Sequence, residues 1–376
     1  MASPRKPLDV IIVGGSLTAL MHGIILQRLG HNIHILEQLP IAAPTSHTAG
    51  IFLSPHATAF VERVDSVSEI PLGSSALAGR LTGFPYPPFP TRRIITSWGA
   101  LYFRLMANFD GISSVYIPHP PDVVCMDGEG LESARNRAVY EHGQRVVDIR
   151  MTLKVIGLKV SVIVEDLVLR TARILPADLV LGVDRRQSTV REIFLFSRTY
   201  RSYSGYVAWR GVVPESELSE ETREAFQANV SHIWSKQVTL GTSHLAPAHA
   251  EVLSKIRTFF IHAIIDSYPG PIKASFFNGR VLLVGDALAH LRPHGGYSTS
   301  IAALEAEWVG ELVSGEISLA EWEGRVTRLV YLWWCRGIWY GHSLLRAGSL
   351  WEFVLSTVWY WAVVAFELGR AYVGCM

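Results

Sequence analysis

The stretch from Leu8 to Glu37 limits what this chain can become more than any other part of it. Val10 to Val13 is an unbroken apolar run, the pattern of a strand buried on both faces. Gly14-Gly15-Ser16 follows as a turn of small residues, and then Leu17, Leu20, Met21, Ile24 and Ile25 recur at helical spacing up to Gly30. Ile33 to Leu36 reads as a second buried strand that finishes on the acid Glu37. Such a series is a βαβ start suited to a dinucleotide. Gly14 permits the tight turn, and the helix N-terminus offers unpaired N–H groups and a positive dipole end to a pyrophosphate. Glu37 lies about 20 residues on, where an acid accepts hydrogen bonds from a ribose. The G-x-G-x-x-G positions read Gly14, Ser16 and Ala19, all small. An ordinary strand–helix crossover in an α/β sheet is the other reading of the same pattern.

The 376 residues suffice for two domains or one large α/β unit, and a 49% apolar fraction supports a large core. With 34 basic against 33 acidic residues there is no basic excess of the kind nucleic-acid binding needs. Cys125, Cys335 and Cys375 are scattered, with neither metal spacing nor a disulfide framework, which suits a reducing, cytoplasmic setting. The N-terminal MASPRKPLDV runs straight into the first strand and leaves no room for a secretory segment.

Further along, His56 to Val64 has a helical pattern, and residues 73–93, with FPYPPFP, read as loop or crossover. Ser97 is a fair N-cap for a helix opening at Trp98. Arg145–Ile149, Leu158–Val164 and Leu167–Thr171 suggest an antiparallel meander, after which Leu179–Leu181 is a buried strand ending in Gly182-Val183-Asp184. A short helix past Arg185 carries Ser188 and Arg191, and Tyr206 to Val213 is strand-like. Residues 215–256 are polar and resist assignment. Val281 to Val284 is another buried strand, ending on Gly285-Asp286, and the helix Ile301–Val313 stops before Gly315. The last 50 or so residues are aromatic and apolar, but the uncharged run between Glu352 and Glu367 is shorter than the ~20 residues of a spanning helix. A buried or interface helix is the expectation. Peripheral membrane attachment through its Trp, Tyr and Arg residues is the second reading, and a true span the third.

Three separated stretches together resemble the FAD-dependent aromatic hydroxylases, the group A flavoprotein monooxygenases: the Gly14 turn with Glu37, Gly182-Val183-Asp184 with Ser188 and Arg191, and Gly285-Asp286-Ala287 with Pro293 and Gly296. Within that group Thr96-Ser97-Trp98, Gly205 to Gly211 and Arg292-Pro293-His294 resemble the 2,6-dihydroxypyridine hydroxylase branch, particularly its fungal members. The resemblance implies an α/β fold: a Rossmann-like FAD-binding domain (1–72, 95–190 and 270–315), an interleaved, shortened antiparallel substrate domain (73–94 and 191–269) and a helical C-terminal tail (316–376).

It further implies that Gly14, Gly15, Ser16 and Glu37 hold the ADP half of FAD. Asp286 takes the ribityl and pyrophosphate side, and the Gly295-Gly296 amides face the flavin pyrimidine edge. Pro293 lines the ring. Asp184 and Arg191 are candidates for FAD and NAD(P)H, Arg191 equally for a structural ion pair. NADH or NADPH reduces the flavin, O₂ gives a C4a-hydroperoxide, and one oxygen atom hydroxylates a small aromatic or heteroaromatic substrate, with epoxidation or Baeyer–Villiger oxidation as a variant of the same chemistry. His294 is placed to polarise a substrate hydroxyl, or is a loop histidine satisfied by backbone. Tyr206, Trp209 and Arg210 face the substrate or belong to a plain core strand.

The chain departs from that pattern in several places. Arg185 stands where the Asp-Gly signature has glycine, and is strained if φ there is positive. Trp98 replaces an arginine that reaches FAD in many relatives, and the segment after Arg210 is short. The short middle segment and Arg185 leave room for a degenerate, non-catalytic flavin-binding protein. A flavin dehydrogenase that never uses O₂ is the third reading.

Overall fold

The computed structural model describes residues 6–40, 50–67, 70–76, 93–120, 137–154, 157–185, 187–195, 201–211, 213–226, 247–257, 260–267, 273–293, 296–344 and 349–374. The chain opens as β1 (Asp9–Val13), α1 (Leu17–Arg28) and β2 (Asn32–Glu37). Next come β3 (Gly50–Leu53), α2 (Pro55–Val64), β4 (Ser74–Ala76), β5 (Arg93–Ser97) and α3 (Trp98–Asp110). Ser97 does cap α3, accepting from the Ala100 amide at 3.0 Å.

The middle of the chain holds β6 (Ala138–His142), β7 (Gln144–Lys154), β8 (Gly157–Asp166), β9 (Thr171–Ala177), β10 (Leu179–Gly182), α4 (Thr189–Leu195) and β11 (Arg201–Arg210). After α5 (Glu220–Phe226) and α6 (Pro247–Lys255) come β12 (Phe260–Ser267), β13 (Ser275–Phe276) and β14 (Val281–Leu283). Three helices close the chain: α7 (Ser298–Ser314), α8 (Leu319–Leu344) and α9 (Leu350–Gly374).

The central sheet has the order β13-β14-β10-β1-β2-β6, parallel except for β13. Its inner strands are buried along nearly their whole length, which is why they read as continuous apolar runs. Helix α1 packs between α3 and α7 on this sheet. The β7-β8-β9 meander forms its own sheet, and β7 packs against α4 and β2. Among the described residues two smaller sheets remain, β3-β5-β4 and the antiparallel ribbon β11-β12.

Several expectations need correcting. The third meander strand is not Leu167–Thr171 but Thr171–Ala177. The Asp166 carboxylate accepts from the amides of Val168 and Leu169, which turns the chain there and leaves both side chains exposed. Ser74–Ala76 is a strand edge rather than loop, whereas FPYPPFP lies outside the described residues. The strand expected at Tyr206 begins at Arg201, and the helix expected at Ile301 begins at Ser298. Helix α9 is not buried: Tyr360 is the single buried residue among those described in it.

Candidate functional site

The residues Val13, Gly182 and Leu283 stand side by side across β1, β10 and β14 in one register row. Parallel strands all point the same way, so the three loops that follow them leave the sheet at one edge. That edge is where α/β sheets bind ligands.

The first loop is the turn 14–16. Gly14 has φ +102°, and a Cβ there would sit 2.9 Å from the Asp184 Cα and the Val183 carbonyl oxygen. Only glycine satisfies both demands. The Gly15 amide donates to Glu37 Oε2 at 2.8 Å, and the Leu39 amide to Glu37 Oε1 at 2.9 Å, so the buried carboxylate ties the turn to the end of β2. Ser16 is the N-cap of α1 but makes no side-chain cap bond, which leaves its hydroxyl and the first-turn amides to face the cleft. Tyr140 braces the turn by donating to the Gly15 carbonyl at 2.7 Å, while Tyr102, stacked on Trp98, donates to the Tyr140 oxygen. Burial pushes the Tyr140 hydroxyl far above the usual phenol range, so it stays a donor.

The second loop carries Asp184 and Arg185. Asp184 accepts from the Ser188 hydroxyl and from the Val190 amide, capping α4, and burial raises its pKa against those hydrogen bonds. Arg185 has φ +67°, the strained conformation that the glycine signature anticipates. Its exposed side chain lines the same cleft as the turn 14–16, and it has no ion pair among the described residues.

The third loop is the short turn Gly285–Ala287. Gly285 packs on Thr18 in the first turn of α1, so the Gly285–Asp286 loop and the Gly14 turn are neighbours. The Asp286 carboxylate is half exposed, with His290 Nδ1 at 3.5 Å. Arg191 is buried and donates to the Asp286 and Ala287 carbonyls at 3.4 and 3.1 Å. The guanidinium therefore holds the loop that presents Asp286.

Beyond this loop, Gly296 turns with φ +63°, donates to the Pro293 carbonyl at 3.1 Å and rests on Phe52. Pro293 is exposed. His294, Gly295 and the side chains of Trp209 and Arg210 lie outside the described residues; the Arg210 backbone ends β11 opposite Phe260. Tyr206 is half-buried, and burial raises its pKa.

The sequence reading quoted Arg292 only as part of a motif, without its partner Asp266, and missed Glu305 altogether. Arg292 Nε donates to Asp266 Oδ2 at 2.6 Å in a buried pair that fastens the Pro293 loop to β12. Glu305 is fully buried in α7 and accepts from the Gly285 amide at 2.7 Å, while its other oxygen has no partner. A lone acid among the inward positions Ala302, Ala306 and Val309 was the available signal for Glu305.

Burial pushes the Glu305 carboxyl up to about 8; the Gly285 hydrogen bond opposes this and the Asp286 charge adds to it. The folded chain holds this proton to higher pH than the unfolded chain does. The contribution is complete below the unfolded value of about 4.5 and disappears as pH rises through about 8. Urea titrations should therefore show stability falling across that window by on the order of 1–4 kcal/mol. Glu305→Gln, which keeps an acceptor for Gly285, should flatten the decline; an unchanged slope would assign it to other groups.

A family model described as FAD binding domain-like matches residues 203–233. No curated protein matches the chain by sequence. Among solved structures, the chain is similar to 2,6-dihydroxypyridine-3-hydroxylase from Arthrobacter nicotinovorans, with 18% identity over 92% of this chain and 94% of that one and a TM-score of 0.66. The chain has the fold of a flavin monooxygenase. Klebsiella pneumoniae HpxO complexed with FAD and uric acid gives 16% identity, 94% and 92% coverage and a TM-score of 0.60. PqsL, a probable FAD-dependent monooxygenase from Pseudomonas aeruginosa, gives 16% identity, 94% and 100% coverage and a TM-score of 0.57.

Proposed function

We propose that this chain is an FAD-dependent monooxygenase that hydroxylates a small aromatic or heteroaromatic substrate with electrons from NADH or NADPH, in secondary metabolism. The observation that carries the reading is the shared sheet edge after Val13, Gly182 and Leu283, where a glycine cradle, the buried acid Glu37 and a half-exposed carboxylate converge. Those residues fit FAD: a Cβ at position 14 would fill the cradle, and the N-terminus of α1 opens on it.

When bound, FAD supplies the redox chemistry that splits O₂ between substrate and water. The chain's own groups bind and orient. The turn 14–16 holds the pyrophosphate, Glu37 the ribose, and Asp286 the ribityl hydroxyls. Asp184 and Arg191 shape the two loops between them. The Gly296 amide is spent on the Pro293 carbonyl, so of the two glycines Gly295 is the one left to offer an amide to the flavin edge. Pro293 lines the ring, His294 polarises the substrate hydroxyl and Arg210 faces the substrate.

Arg185 takes over the cationic duty that Trp98 cannot perform, since it lines the same cleft as the turn 14–16 that would hold the pyrophosphate. Arg185→Gly should then have two effects of opposite sign. Relief of the positive φ stabilises the apoprotein by about 1 kcal/mol, while FAD binding weakens about tenfold, or 1.4 kcal/mol. Flavin titration and urea unfolding read the two separately, and unchanged FAD affinity would remove Arg185 from the site.

The reading itself is tested on purified protein. It should be yellow, with releasable FAD, and should oxidise NAD(P)H in response to an aromatic substrate while incorporating ¹⁸O from O₂. Flavin without turnover would favour the second reading, a non-catalytic flavin-binding protein. The two-stranded β11-β12 ribbon among the described residues is what speaks for that reading.

A further inference from the structure

We infer that the outward face of α9 is buried in one leaflet of a lipid bilayer, which holds the body of the protein at a membrane surface. Helix α9 keeps one stripe for the protein. Ser356 bonds His342, Thr357 accepts from Trp339 Nε1 at 3.1 Å, and Tyr360 stacks on Trp339 with ring centroids 4.9 Å apart. The rest of its circumference is open and apolar. Trp351 is 75% exposed, Leu355 and Val358 each 64%, Phe366 63% and Leu368 66%.

From Phe353 to Phe366 the sequence contains no charged residue. The charges of α9 stand only near its ends. Glu352 is already used to accept from the Ser349 amide, and Arg370 lies over the Phe366 ring. A helix face turned to water carries polar residues, and an apolar area this large marks an interaction surface.

The occupant is decided by how far the apolar surface reaches round the helix. A partner helix, or a second copy of α9, covers a stripe of roughly 100°. Here nearly everything outside the α8 stripe is apolar, and only an apolar solvent covers that much at once. Charges confined to the ends and tryptophans spread along the exposed face suit an apolar surface seated in lipid.

The segment Leu350–Arg370 is long and apolar enough to cross a bilayer. The α8 stripe argues for lying flat instead. Crossing would strip the Thr357–Trp339 and Ser356–His342 hydrogen bonds and leave polar groups in hydrocarbon, whereas lying flat keeps them.

Flotation of the full chain with neutral phosphatidylcholine vesicles tests this. The protein should rise with the vesicles at low and high salt alike, because apolar burial rather than charge drives the contact. Leu355→Glu, Val358→Glu and Ala362→Glu together, all on the open face, should lower the bound fraction at least about tenfold. Protein that stays in the aqueous layer, a dimer that ignores vesicles, or flotation untouched by the triple variant would each overturn the inference. If the variant fails to fold, wild-type tryptophan emission in vesicles with brominated acyl chains gives the answer: quenching supports leaflet burial, and its absence refutes it.

Discussion

A Gly14→Val chain should purify without flavin and unfold at a lower urea concentration than the parent. The backbone at position 14 has φ +102°, and the first atom of any side chain would lie 2.9 Å from backbone of the Val183–Asp184 segment. Neither partner is the end of a flexible side chain, so the turn must open or β1 and β10 must part. The left-handed conformation costs about 1–2 kcal/mol for a residue with a Cβ, and the overpacking about 1–3 kcal/mol more. FAD occupancy, read by absorbance per protein, should fall at least a hundredfold, since on the proposed reading the same displacement moves the amides that would hold the pyrophosphate. A yellow Gly14→Val protein of normal stability would mean that the cofactor is not held at this turn.

Asp266→Ala should cost about 3–5 kcal/mol, because it leaves the Arg292 guanidinium buried without its counter-charge. The expected functional effect is larger than for a distant core substitution of equal cost. Arg292 stands directly before Pro293, and the lost bond releases the Pro293–Gly296 turn from β12. The double variant Asp266→Leu with Arg292→Met separates the two consequences. Filling the space with apolar atoms should recover most of the stability, as replaced buried pairs do, while substrate-dependent turnover stays low. Recovery of both together would show that the pair only supports the core.

The parts of this molecule that were legible in the sequence are those whose cause is local. Val10–Val13, Leu179–Leu181 and Val281–Val284 showed themselves as strands because a strand flanked by neighbours and covered by helices is apolar throughout. Ser97 announced α3 because a cap acts three residues away. The conditional strain at Arg185 followed from one missing glycine and is present. What stayed hidden depends on contacts far along the chain. Arg292 and Asp266 lie on different elements, and nothing local pairs them. Glu305 acquires its meaning from Gly285, a whole loop earlier. Leu167–Thr171 misled because an apolar stretch at an Asx turn has the composition of a strand.

The row Val13–Gly182–Leu283 also orders events in time. During synthesis the ribosome releases the first of these residues long before the last, and Glu305, which fastens the final loop, emerges later still. A nascent chain therefore exposes the turn 14–16 before the Gly285–Asp286 loop exists, and on the proposed reading the dinucleotide meets a complete site only once Glu305 has emerged. Fragments ending before β14 should then accumulate colourless however much FAD is supplied.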